Sequence, residues 1–257
     1  MFHSTNAYLN YYIDGYCERL QPGLWAEPLN ALSNLAFWLV AFLVWRHRRV
    51  AFAASRRAAH RDIDALLIMM ALIGAGSLVF HTIATAWAKA LDVFFIVVYL
   101  HFYLAVYAHR ALGWRWQRAW IGIPAFTLLG LVLAPVWQGL AALTGPALQV
   151  DVEAASRYAA AWSVLLLLVA HSALRRLPSA VPLAVAAACF APSLLLRQLD
   201  LPLCESWPWG THFGWHLLNA ATLGWTSWAM LRLANQADCP GPATVDSQKK
   251  CSSSRSR

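Results

Sequence analysis

Three histidines in the sequence have the spacing expected of a metal site. His212 and His216 are four positions apart, so on a helix their rings lie on the same face. His81 lies in a separate apolar segment, and three imidazoles would leave a tetrahedral zinc ion one open position for water. Zinc lowers the pKa of that water to about 7. The three histidines therefore predict a catalytic zinc site, whereas the pair alone would equally suit histidines tolerated at a membrane surface.

Two further residues could act beside that metal. Ser77 precedes His81 by four positions, so its hydroxyl could stabilise an oxyanion, or it could simply bond the carbonyl one turn back. Asp92 lies inside an apolar segment, where an ionisable group is costly and is by default a functional hypothesis. We expect it to act as a general base or proton shuttle. The alternative is a charge partner for Lys89 or Arg197.

A second group of acidic residues precedes the first apolar segment. Asp14, Glu18 and Glu27 offer carboxylate oxygens at an irregular loop spacing, which suits calcium. They could instead form a solvated acidic segment, with Glu27 as a favourable charge near the first helix's N-terminus. The residues by themselves favour this second interpretation.

Membrane helices must position all of these residues. Apolar residues make up 60% of the 257 residues and charged residues only 12%, a composition outside the soluble range. Because a bilayer core needs about 20 apolar residues per helix, we predict an all-α integral membrane protein with seven transmembrane helices. A six-span alternative arises because the connection around Trp114 is itself apolar. The predicted spans are 29–46, 63–83, 88–109, 118–137, 157–174, 180–199 and 213–233.

The basic residues predict the orientation of the bundle. The net charge is +8, but sixteen of the 20 lysines and arginines follow the first, third, fifth and seventh predicted spans. By the positive-inside rule, the N-terminus lies outside and the C-terminus is cytoplasmic. The excess of basic over acidic residues thus reflects membrane topology, and we expect no nucleic-acid partner. His81, Asp92, His212 and His216 then share the extracytoplasmic end of the bundle.

Three regions follow from this topology. Residues 1–28 form an extracytoplasmic segment without the pattern of a cleavable signal peptide, so the first span should direct insertion. Residues 29–233 form the seven-helix catalytic domain. Residues 234–257 are polar and rich in Ser and Lys, which predicts a disordered cytoplasmic tail.

The five cysteines divide according to the same topology. Cys17 and Cys204 both face the oxidising outside, so we predict that they form a disulfide, with two unpaired interfacial thiols as the alternative. Cys189 lies within the sixth span, and Cys239 and Cys251 lie in the tail. These three should remain free thiols.

The ordered set of motifs resembles the alkaline ceramidase family, seven-helix lipid amidases within a wider group that includes the adiponectin and progestin receptor relatives. The resemblance covers roughly residues 10–233, and any one motif is weak while the ordered set is fairly specific. The blocks that carry it are Asp14-Gly-Tyr-Cys-Glu18 with Trp25-Ala-Glu-Pro-Leu-Asn-Ala-Leu-Ser-Asn34, then Gly76-Ser-Leu-Val-Phe-His81 with Asp92, and finally Thr211-His-Phe-Gly-Trp-His216.

The resemblance implies a division of labour among these residues. Zinc would be bound by His81, His212 and His216, with Ser77 and Asp92 completing the catalytic set. A structural calcium would be bound by Glu18 and Glu27, with Asp14 as a further ligand. The sequence departs from the eukaryotic members here, because Asp14 is one residue farther from the cysteine and an asparagine expected shortly after Glu18 is missing.

The expected activity is zinc-dependent hydrolysis of the amide bond of an N-acylated membrane lipid such as ceramide. The products would be a fatty acid and a free sphingoid amine. The alternative is a receptor-like seven-helix protein that binds lipid and retains a vestigial metal site. A metal transporter fits less well, because its ligands should lie near the bilayer midplane and on both sides of it.

Overall fold

Helices make up most of the described chain. The structure is a computed structural model that describes residues 9–51, 60–143 and 152–238. Within these ranges there is no β-strand, and one isolated β-bridge joins Tyr12 to Thr85. The helices are α1 (Pro28–Ser33), α2 (Leu35–Ala51), α3 (Arg61–Ile83), α4 (Ala86–Ala111), α5 (Trp116–Ala119), α6 (Gly122–Leu143), α7 (Val152–Leu174), α8 (Ala180–Leu199) and α9 (His212–Asp238).

Five helical segments of the described ranges are long and apolar enough to cross a membrane. They are Pro28–Val50, Arg61–Ile83, Ala86–Ala111, Trp116–Leu133 and Ala180–Leu199. The all-α prediction is therefore confirmed. Each of the seven predicted spans overlaps a long helix, but α7 contributes only a shorter apolar stretch, Ala160–Leu174, and α9 is not among the five. Seven membrane crossings and the orientation stay predictions.

Several helices extend about five residues beyond the predicted spans, and the helix of the fourth span, Gly122–Leu143, is displaced from the predicted 118–137. Helix α2 continues to Ala51 and α9 to Asp238, both beyond the predicted limits of 46 and 233. Cys239, Cys251 and most of the predicted tail lie outside the described residues. Cys189 is free, as predicted.

Large apolar side chains cover the outside of the helices. Leu39, Ile68 and Leu195 are each more than half exposed, and apolar surface of this extent is rare on soluble monomers. The interior contains a separate set of buried side chains, among them Leu66 and Met70 of α3. This distribution fits helices that are surrounded by lipid.

Two ion pairs fix the end of the bundle where α3 begins. Arg110 of α4 donates two parallel hydrogen bonds to Asp62, at 2.7 and 2.5 Å, and Arg48 of α2 pairs with Asp64. Both aspartates lie in the first turn of α3, where a negative charge is also favoured by the helix dipole. Helices α2, α3 and α4 are thus tied together at the predicted cytoplasmic side.

A disulfide joins the N-terminal segment to the connection between α8 and α9. Cys17 and Cys204 are bonded, with their Cα atoms 5.4 Å apart, which lies within the usual range. The predicted pairing is confirmed. Because the two cysteines are 187 residues apart in the chain, the bond links the N-terminal segment to the connection that precedes the last helix.

Replacing Cys204 with serine should lower the thermal midpoint of the detergent-solubilised protein, because loss of a native disulfide typically costs about 2 to 5 kcal/mol. Reductant should produce the same loss in the unmodified protein and no further loss in Cys204→Ser. Differential scanning fluorimetry measures both effects, with Cys189→Ser as the control that keeps its sensitivity to reductant. A midpoint insensitive to reductant in the unmodified protein would contradict the prediction.

Candidate metal centre

The three predicted histidines converge at one point between α3 and α9. Each offers a ring nitrogen, and these nitrogens all lie within 4.8 Å of one another. The ring centroid of His81 is 5.1 Å from that of His212 and 4.7 Å from that of His216. All three side chains are buried. Ring nitrogens this close together could bind one metal ion.

Hydrogen bonds fix the ring nitrogens of two of these histidines. Glu27 Oε2 lies 2.6 Å from His81 Nδ1, so a carboxylate acceptor requires Nδ1 to carry the proton. The Ser33 hydroxyl donates to the Asn30 carbonyl at 2.9 Å and lies 2.7 Å from His216 Nδ1. Because a hydroxyl has a single proton, the His216 Nδ1–H must donate to Ser33. In both rings the Nε2 lone pair is left for a metal.

The third histidine has a different environment. His212 Nδ1 is buried and has no hydrogen-bond partner in the described part of the chain, although buried polar atoms nearly always have one. The ring of Tyr16 lies against it, with the centroids 4.0 Å apart. An ion shared by the three rings would explain a buried nitrogen without a partner. The donor set therefore fits zinc.

Asp200 holds the beginning of α9, and with it His212. Its carboxylate accepts backbone N–H groups from Thr211 at 2.7 Å, from His212 at 2.8 Å and from Cys17 at 2.9 Å. The carboxylate thereby caps the first orphan amides of the helix. Gly210 makes this approach feasible, because it has a φ of +64° and a Cβ there would lie 2.3 Å from Asp200 Oδ1.

Ser77 and Asp92 lie beside the histidines, as predicted. Ser77 Oγ is 3.5 Å from His216 Nε2, and the Ser77 and Asp92 side chains line the same cavity. Asp92 Oδ1 is buried without a partner among the described residues. Gly76 permits this arrangement, since a Cβ there would be 3.3 Å from the Asp92 Cα atom. Helices α3 and α4 can therefore approach closely at the site.

A cavity of about 140 Å³ leads from these residues into the bundle. Ser77, Asp92, His212 and His216 line one end, and the remaining lining is mostly apolar side chains. Along α9 the lining continues from His212 to Thr226, which corresponds to about 21 Å at the rise of an α-helix. The cavity is thus long and mostly apolar, with the histidines, Ser77 and Asp92 at one end and a few hydroxyl and amide side chains, such as Thr222 and Thr226, farther along.

The carboxylates assigned to calcium are already engaged by the protein. Glu18 accepts the backbone N–H groups of Leu29 and Asn30, at 2.6 and 2.9 Å, and so caps α1. Glu27 pairs with Arg19 and also accepts the Asn30 side-chain amide at 3.0 Å. As they stand, the two glutamates do not fit a calcium ion. Asp14 is exposed and is not drawn into this network.

The two glutamates differ in their electrostatics. Burial raises the pKa of Glu18, an effect that its two backbone hydrogen bonds oppose. Burial acts on Glu27 in the same direction, but the contacts with His81 and Arg19 outweigh it and lower the pKa of that carboxyl. Glu27 is therefore ionised and can accept the His81 proton donor.

Sequence reasoning missed several residues that support this centre. The contacts of Ser33, Asp200 and Arg19 join residues that are far apart in the sequence. No local spacing rule predicts them. The sequence suggests Arg197 only as a charge partner of Asp92. In the structure it lines the cavity and stacks over Tyr158, with its guanidinium carbon 5.1 Å from the ring centroid. For Arg197 the sequence does carry a signal, because a charged residue within an otherwise apolar helix is by default a functional candidate.

Comparison of the chain with protein-family models and with curated proteins gives no match. The resemblance to the alkaline ceramidases therefore rests on the sequence motifs alone.

Replacing Asp200 with asparagine should weaken zinc binding and lower the thermal midpoint, because the amide presents one acceptor oxygen to three N–H donors. Leaving a buried donor unsatisfied costs about 1 to 3 kcal/mol. Zinc content after dialysis and scanning fluorimetry measure the two effects. Glu205→Gln is the matched control, since Glu205 is an exposed carboxylate of the same connection. If Asp200→Asn and Glu205→Gln had the same zinc content and thermal midpoint, Asp200 would not be needed to position His212.

Proposed function

We propose that the protein is a zinc-dependent amidase of the membrane that hydrolyses the amide bond of an N-acylated lipid, with ceramide as the model substrate. The observation that carries this proposal is the meeting of three buried histidines with Ser77 and Asp92 at the polar end of an apolar cavity. A metal site alone would suit many functions. A metal site beside a hydroxyl donor and a carboxylate suits hydrolysis.

The shape of the cavity supports a lipid substrate. Its mostly apolar lining is suited to a hydrocarbon chain, and its ionisable groups Asp92, His212 and His216 lie together at one end. In the predicted orientation this end is extracytoplasmic and near the depth of lipid headgroups. An amide bond between an acyl chain and a headgroup amine would then lie next to Ser77 and Asp92.

The residues of the chain divide the hydrolytic work. His81, His212 and His216 would hold zinc, which when bound supplies Lewis-acid activation of a water molecule. Asp92 accepts the proton of the attacking water and returns a proton to the nitrogen of the leaving amine. The Ser77 hydroxyl donates a hydrogen bond to the oxygen that becomes negative as the carbonyl is attacked. Water is added across the C–N bond, giving a fatty acid and a free amine.

The proposed membrane arrangement completes this function. Seven crossings with an extracytoplasmic N-terminus would place the disulfide in an oxidising compartment, where such bonds persist. They would also place both ion pairs at the start of α3 on the cytoplasmic side. The bilayer then serves both as the solvent of the bundle and as the source of substrate.

Replacing Asp92 with asparagine should leave zinc content unchanged and reduce turnover by about 100-fold or more, because the amide retains the shape but cannot accept the proton. The assay is release of fatty acid from a panel of N-acyl lipids by purified protein, with and without a zinc chelator. Glu205→Gln is again the matched control and should retain full turnover.

The same assay separates the proposed enzyme from a receptor-like protein. An enzyme should release fatty acid in a zinc-dependent manner from at least one lipid of the panel. A protein that retains zinc and binds these lipids without releasing product would instead be receptor-like. Unchanged turnover in Asp92→Asn would assign Asp92 a structural role.

A further inference from the structure

An arginine is buried in the N-terminal segment, close to the candidate metal centre. Arg19 is 3% exposed, and its guanidinium cannot lose its charge at any ordinary pH. A buried charge of this kind is strongly unfavourable unless it is paired and hydrogen-bonded. The contacts of Arg19 therefore show which groups neutralise its buried charge.

The partners of Arg19 within the described chain are oxygen atoms from three separate places. It pairs with Glu27 Oε1, donates to the His81 carbonyl at 2.9 Å and lies 3.4 Å from the Gly23 carbonyl. Its guanidinium also lies over the Tyr12 ring, 5.7 Å from the centroid. A carboxylate with backbone carbonyls is the type of ligand set that a hard cation such as calcium would use.

We infer that Arg19 is the built-in cation of this segment, taking the place that the family resemblance assigns to calcium, and that it positions His81 for metal binding. The positive charge is thus covalently attached to the chain. A divalent ion would have to compete with the guanidinium for Glu27, while Glu18 is occupied in capping α1. The segment should therefore require no calcium.

The second half of the proposal follows from two contacts with His81. Glu27 uses one carboxylate oxygen for Arg19 and the other for His81 Nδ1, at 2.6 Å. Arg19 also holds the backbone carbonyl of the same histidine. The histidine is therefore fixed at its ring and at its main chain by one Arg19–Glu27 unit. Loss of such a supporting carboxylate contact typically lowers metal affinity about 10- to 100-fold.

Calcium tests the first half in the unmodified full-length protein. Detergent-solubilised protein is treated with a calcium-selective chelator, exchanged into chelator-free buffer and titrated with calcium chloride while the thermal midpoint is measured. We expect no saturable change. A saturable rise in the midpoint would show that a calcium site exists beside Arg19 and would overturn the proposal. This arm does not depend on the proposed activity.

Substitution of Arg19 tests the second half, which rests on the zinc site of the proposed function. Zinc affinity is measured by competition with a chromogenic chelator. Arg19→Gln should lower the affinity about 10- to 100-fold. Arg19→Lys retains the charge but loses the planar fork, so its zinc affinity should lie between those of the unmodified protein and Arg19→Gln. This variant replaces Arg19→Gln in the test if Arg19→Gln does not fold.

The matched control is Arg110→Gln. Arg110 and Asp62 form a similarly buried pair, with side chains 9% and 8% exposed, at the opposite end of α3. This variant should lower the thermal midpoint and leave zinc affinity unchanged. Equal losses of affinity in the Arg19 and Arg110 variants, or none in either, would overturn the positioning role. If the unmodified protein binds no zinc, the proposed function fails, and the calcium titration alone decides whether Arg19 is the built-in cation.

Discussion

The hydrogen bond between Glu27 and His81 joins the N-terminal segment to the candidate metal centre. Glu27 lies at the start of α1, while His81 lies near the end of α3, and one carboxylate oxygen fixes the proton on His81 Nδ1. The other oxygen neutralises Arg19. Because each of these groups is buried, none can be left without a partner at low cost. The metal-facing nitrogen of His81 is thus set by residues far away in the chain.

Asp200 serves the second histidine helix in a comparable way. It caps the first amides of α9 and also accepts the backbone N–H of Cys17, whose side chain is bonded to Cys204. The N-terminal segment therefore contacts both histidine-bearing helices through buried carboxylates. This segment is short and has little regular structure, so its order depends on these polar contacts and on the disulfide.

The apolar bundle and the polar centre impose opposite requirements. Lipid-facing helices exclude water, so every polar group between them needs a partner within the protein. The site meets this demand through Glu27 and Ser33, which each hold one histidine. Among the buried polar atoms without a hydrogen-bond partner in the described residues, His212 Nδ1 and Asp92 Oδ1 belong to residues lining the cavity, whereas Asn34 Oδ1 and Thr85 Oγ1 do not. Part of the unused hydrogen-bonding capacity thus lies where ligands would bind.

The sequence by itself determined the helical class, the residues of the centre and the Cys17–Cys204 pairing, because hydropathy, the spacing of His212 and His216, and the side of each cysteine are local or topological properties. It did not determine the partners of those residues. Arg19, Ser33 and Asp200 act across separations that no periodicity describes, and the carboxylates of Glu18 and Glu27, assigned to calcium, accept hydrogen bonds from Arg19, His81 and backbone amides. Only the tertiary structure decides these pairings, because the interaction of two buried charges depends on the distance between them, and they come from separate segments of the chain.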